Sequence, residues 1–106
     1  MKLLLDRKDV NPDSRDNYSQ TPLWCAAERG HEGIVKLLLG RKEVNPDSRD
    51  SHDATPLLRA TRCGHEGIVK LLLDRKEVDP DLNDNDGRTP LWWAAECGHE
   101  VIVKLL

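Results

Sequence analysis

GHEGIVKLLL, from Gly64 to Leu73, occurs word for word at Gly30 to Leu39 and, slightly altered, again from Gly98 onward. Thr21, Thr55 and Thr89 each open a Thr-Pro-Leu and lie 34 residues apart, as do His31, His65 and His99. Two independent spacings therefore give one register. A period of this size marks stacked supersecondary units, none of which can bury its apolar face alone. The chain divides into a partial unit at 1–15, units at 16–49 and 50–83, and an incomplete unit at 84–106.

Within a unit the elements can be read from caps and periodicity. Thr21-Pro22 supplies an N-cap hydroxyl followed by a proline at the first helical position, and Gly30 is a left-handed stop, so a helix is expected from Pro22 to Arg29. His31-Glu32 opens a second helix, to about Leu39, with Ile34, Val35, Leu37 and Leu38 as its apolar face and Lys36 towards water. The later copies give Pro56 to Cys63, Glu66 to about Asp74, and Pro90 to Cys97, with a last helix reaching Leu106. The chain begins inside a helix whose Leu3, Leu4 and Leu5 align with Leu37, Leu38 and Leu39. Helices this short are marginal by themselves and depend on their neighbours. Pro46, Asp47 and Ser48 mark the joining stretch as loop, and Asp86-Gly87 is a tight-turn pair.

A net charge of −3, with 33% charged residues of both signs interspersed, describes a solvated surface rather than a nucleic-acid or membrane footprint. The acidic balance weighs against RNA or DNA binding through Arg15, Arg29, Arg49, Arg59, Arg62 and Arg88. The opening Met1 to Leu5 meets Asp6, Arg7 and Lys8 too early for a signal peptide, so an intracellular, cytoplasmic setting is the default. Cys25, Cys63 and Cys97 are odd in number and lack CxxC spacing; they read as reduced thiols.

Turn, Thr-Pro-Leu, Ala-Ala, Gly-His, Ile-Val-Lys-Leu-Leu-Leu and Val-Asn in that order resemble the ankyrin repeat over the whole chain. The resemblance implies an all-α repeat: an ankyrin-type solenoid of stacked antiparallel helix pairs with hairpin-like loops, presenting a concave protein-binding surface. The histidine usual after Thr-Pro-Leu is replaced by Trp24, Leu58 and Trp92, and Arg41-Lys42-Glu43 stands where Gly-Ala-Asp is usual. The Asp-Arg-Lys-Glu-Val-Asn-Pro-Asp loops resemble those of near-identical ankyrin arrays in large fungal multidomain proteins of the NTPase-receptor type.

Superposed copies agree through Thr-Pro-Leu, Gly-His-Glu and Ile-Val-Lys-Leu-Leu and differ at the loop tips and one helix face. In ankyrin geometry the differing positions form the surface a partner would meet: Tyr18, Gln20, Cys25, Glu28, Arg29, His52, Arg59, Arg62, Cys63, Asp86, Arg88, Trp93 and Glu96. Its centre is basic, with His52, Arg59 and Arg62 between Glu28 and Glu96, and Trp93 is the candidate anchor. Drift on solvated positions leaves the same pattern. Trp24 and Trp92 share a column with Leu58 and read as core, and the recurring histidines read as structural hydrogen-bonding groups.

Cys63-Gly64-His65 and Cys97-Gly98-His99 bring thiol and imidazole close, yet no four-ligand set with zinc spacing exists, so no metal or other cofactor is expected. No Walker loop, GxSxG or paired-carboxylate motif occurs, and no catalytic residue is expected. The expected function is a non-catalytic protein–protein interaction module that needs no small molecule and no membrane. The alternative is self-assembly: Leu3, Leu4 and Leu5 at one end and Val101, Ile102, Leu105 and Leu106 at the other form two unlike apolar ends, which propagate head to tail into a filament or oligomer.

Overall fold

The computed structural model describes residues 11–106. The helix expected at Leu3, Leu4 and Leu5, and with it the first of the two apolar ends, lies outside the described residues. Six helices follow in chain order: α1 (Pro22–Arg29), α2 (Glu32–Leu39), α3 (Pro56–Cys63), α4 (Glu66–Leu73), α5 (Pro90–Cys97) and α6 (Glu100–Leu105). Among the described residues there is no strand.

Each pair is delimited by the same chemistry. Thr21, Thr55 and Thr89 accept, on their hydroxyl oxygens, the backbone N–H of Trp24, Leu58 and Trp92, each at 3.2 Å. Proline occupies the first turn of α1, α3 and α5, where no intrahelical N–H is needed. At the other end Gly30, Gly64 and Gly98 adopt φ of 79°, 77° and 74°, the left-handed region that turns the chain back into the second helix.

The pairs then stack in two layers, α1 on α3 on α5 and α2 on α4 on α6. Leu23, Ala27, Val35, Leu57, Ala60, Val69, Leu72, Ala94 and Ile102 have no exposed surface and form one continuous core between the layers. Histidine ties unit to unit: the Nε2–H of His65 donates to the Glu28 carbonyl at 2.9 Å, and that of His99 to the Arg62 carbonyl at 3.2 Å. These imidazoles lie against Gly30 and Gly64, where a Cβ would come within 2.8 Å of the ring.

Stacking rather than composition decides what is buried. Trp24 and Leu58 are 6% and 1% exposed, whereas Trp92, in the same column, is 41% exposed, which corrects its reading as core. The helices of the following unit cover Trp24 and Leu58, and no described unit follows the one that carries Trp92. On the opposite side Ile34 and Leu37 of α2 are exposed, while the matching Ile68 of α4 is sealed. Ile102 is fully buried and cannot present itself to another molecule, contrary to its expected place on a sticky end.

Thr61 is a departure from an otherwise alanine position, since Ala27 and Ala95 stand there in the neighbouring units. Its hydroxyl is buried and has no hydrogen-bond partner. Thr61→Ala is therefore expected to raise stability by about 0.5–1 kcal/mol, through removal of an unpaired polar atom and better helix propensity. Urea unfolding of the two proteins measures it, and a loss of stability would show that the threonine methyl packs more than the hydroxyl costs.

Candidate functional site

The positions that differ between units gather on α1, α3, α5 and the loop tips before them. Each tip is closed by an aspartate: Asp16, Asp50 and Asp84 accept, on Oδ1, two backbone N–H groups of their own turn at 2.8–3.0 Å. Ser19, Asp53 and Gly87 hold φ of 59°, 62° and 78° at the apex. Neighbouring tips are joined by one backbone bond each, Ser51 N–H to the Tyr18 carbonyl and Asn85 N–H to the His52 carbonyl, both 2.9 Å. These bonds link each tip to the next.

The first cluster on this face is internal. Arg59 donates from Nε and Nη2 to the two carboxylate oxygens of Glu28 at 3.0 and 2.8 Å, and its guanidinium lies 5.2 Å from the Trp24 ring. Arg59 is consequently neutralised and packed across the unit boundary, which corrects its expected role as part of a free basic centre. Burial works to raise the Glu28 carboxyl, but the Arg59 hydrogen bonds and charge outweigh it and hold the group below its ordinary value. A depressed carboxyl contributes stability above its unfolded value, near 4.5, that is lost as pH falls through the folded value. Glu28→Gln is expected to cost about 1–2 kcal/mol at neutral pH, with the difference closing as the pH falls below 4.5 and through the lowered folded value. Thermal unfolding across that range checks it, and a constant gap would mean that the pair adds no charge-dependent stability.

The second cluster is an open cleft of about 380 Å³ between the second and third tips, lined by Asp50, His52, Leu58, Arg62, Arg88 and Trp93 among others. Cations and indoles are packed against one another beside it. Arg62 lies 4.5 Å from the Trp93 ring centre, and Arg88 lies 4.5 Å from Trp92 and 5.5 Å from Trp93. The two indoles meet edge to face at 5.0 Å. The Trp93 indole N–H donates to Asp84 Oδ2 at 3.1 Å. Trp93, expected as an exposed anchor, is instead a half-buried platform fixed from below. The Asp84 carboxyl is held below its usual range: burial pushes it up, and the N–H groups of Arg88, Trp93 and Asp86 outweigh that.

Of the other expected contact residues, Tyr18, Arg29, His52, Cys63, Asp86 and Glu96 are exposed, while Gln20 and Cys25 are half-buried. His52 and Asp86 join Arg59, Arg62, Arg88 and Trp93 at the cleft; Tyr18, Gln20, Cys25, Arg29 and Glu96 do not line it. The Cys63 thiol donates to Glu28 Oε1 at 3.5 Å, and burial, then the Glu28 charge, raises it. Burial, then Asp16, raises Cys25 as well. Asp50, Leu58, Asp84 and Asn85 were not among the expected residues; the recurrence of Asp16, Asp50 and Asp84 at 34 residues was the available signal.

At the far end Val101 is exposed, and Leu105 and Leu106 are half-buried against the core. Among the described residues no cluster of histidine, cysteine and carboxylate gathers as a metal site, and no helix is long and apolar enough to cross a membrane. No curated protein sequence matches the chain. A family model described as ankyrin repeats (3 copies) matches residues 1–84 and 42–106.

Proposed function

The chain belongs to the ankyrin-repeat family, whose members are generally protein-binding and typically non-catalytic, and from that premise we propose that it is an intracellular interaction scaffold. It reads its partner with the cleft between the second and third loop tips and the adjoining inner-helix surface. What supports this is that His52, Arg59, Arg62, Asp86, Arg88 and Trp93, positions that differ between otherwise repeated units, line one cleft. Repeated residues build the stack, and unrepeated ones give the cleft its composition. Tyr18 at the first tip, Arg29 on α1 and Glu96 on α5 are exposed outside the cleft and complete the proposed contact set. Stacked tryptophan and arginine are the side chains that dominate protein interfaces.

The test is capture from an extract by the parent and two charge-reversed proteins. Arg62→Glu with Arg88→Glu is expected to lose the partner, while Lys36→Glu with Lys70→Glu, on α2 and α4, retains it, all three having equal helix content by circular dichroism. Loss with the lysine pair and retention with the arginine pair would place recognition on the opposite side.

A second reading, stacking of copies head to tail, is favoured by one observation. Leu91, Trp92 and Val103 are 49%, 41% and 37% exposed, whereas their counterparts in the preceding units, among them Leu57, Leu58 and Val69, are sealed by the following unit. A face built to be covered by a repeat suits another copy's repeat. Light scattering over a dilution series tests it, and a concentration-independent monomer rejects it.

A further inference from the structure

The second and third loops are joined at two points, and one of them sets two carboxylates side by side. At the tips, Asn85 N–H donates to the His52 carbonyl at 2.9 Å. Earlier in each loop, Asp79 N–H donates to Asp47 Oδ2 at 2.8 Å. The first and second loops are joined in the same manner, Ser51 N–H to the Tyr18 carbonyl and Asn45 N–H to Asp13 Oδ2 at 2.8 Å. One residue distinguishes the two joints: the donor is the neutral Asn45 in the first and the acidic Asp79 in the second. We propose that the Asp47–Asp79 contact is an acid-tightened joint, in which protonation of Asp47 favours the joined loops and neutral pH loosens them, so that pH sets how firmly the cleft between their tips is held. As regulation of a partner's seat, this rests on the cleft reading above.

Asp47 is half-buried, and its Oδ1 is buried with no hydrogen-bond partner among the described residues. A charged oxygen in that position forgoes solvation that a single N–H on the other oxygen replaces only in part. Burial is accordingly the largest influence on the group and raises it. The Asp79 N–H opposes burial, the Asp79 charge adds to it, and Arg49 and Glu77 act in opposite senses, which leaves the carboxyl above its ordinary 3.8. Glu77 is itself held by Arg75 at 3.6 Å. A carboxyl raised in the folded state contributes stability that is complete below the unfolded value and is lost as pH rises through the folded one. Joined loops therefore bind the proton more tightly than separated loops, and acidification favours joining. Asp84, which closes the third tip, is shifted the other way, so its turn keeps its charged acceptor while Asp47 takes up a proton.

The experiment is amide hydrogen exchange of the full chain by NMR between about pH 4 and 7, each rate corrected for its intrinsic pH dependence. Protection of the Asp79 and Asn85 N–H groups is expected to fall about threefold or more from the acid end to the neutral end, while Ser51 N–H, between the first two tips, keeps its protection. Asp47→Asn abolishes the dependence, and Asp79→Asn, which restores the asparagine of the first joint, reduces it, both with unchanged helix content. Asp50, His52 and Asp84 remain in both variants, so their own titration cancels in the comparison. The same pH dependence in Asp47→Asn as in the parent, or protection that rises with pH, overturns the joint. A change at Asp79 N–H with none at Asn85 N–H overturns its reach to the tips. No partner is present in this measurement, so its failure leaves the cleft reading to the capture experiment; capture that survives reversal of Arg62 and Arg88 removes the cleft reading, and the regulatory role with it, whatever the amides show.

Discussion

Leu57→Ala is expected to destabilise the protein by about 3–4 kcal/mol, enough to leave an array this small largely unfolded under mild conditions. Leu57 is fully buried at the start of α3, the helix that packs against both α1 and α5. A cavity there weakens two interfaces at once, and in a linear array nothing farther along the chain compensates. The same substitution at Leu91, its counterpart on α5, provides the control, because Leu91 is 49% exposed. Leu91→Ala should cost about 1 kcal/mol or less, since much of the removed surface is already in water. The residue, the local sequence Thr-Pro-Leu and the helix position are identical, so the difference reports stacking alone. Urea unfolding of both proteins gives the comparison, and equal losses would mean that neighbouring units do not supply the stability.

Gly64→Ala is the second large effect, expected near 2–3 kcal/mol. Two costs add at this position. An alanine must hold φ of 77°, and its Cβ would come within 2.8 Å of the His99 ring. Displacing that ring also removes the His99 bond to the Arg62 carbonyl. Gly98 separates the two costs, because it has nearly the same φ, 74°, and a Cβ added there would meet nothing within 4 Å. Gly98→Ala should therefore show the backbone cost alone, about 1 kcal/mol. Calorimetric unfolding of the pair decides it; if the two alanines cost the same, the imidazole does not lock the units together.

The helix boundaries were legible because punctuation is local. Threonine followed by proline can cap only one end of a helix, and Gly30, Gly64 and Gly98 sit where the chain must turn left-handed. The role of His65 and His99 was legible for a related reason, since a polar group recurring at a fixed boundary implies a fixed acceptor. What sequence left out depends on position in the stack. Trp24 and Trp92 occupy equivalent sites, and only a neighbouring unit decides that one is sealed and the other open. Arg59 looked like free charge because its partner Glu28 is 31 residues away in sequence and directly opposite in space. The left-handed apex was readable at Gly87 but hidden at Ser19 and Asp53, which tolerate it under the constraint of an aspartate-closed turn.

In the proposed function the stack is scaffold and the partner sits in the cleft between the second and third tips. The most direct measurement of that placement is site-specific photocrosslinking of the full chain, with the photoreactive side chain at Arg88 in one protein and at Lys70, on α4, in another. The partner adduct is expected at position 88 and not at position 70; an adduct at position 70 with none at 88 would contradict the claim.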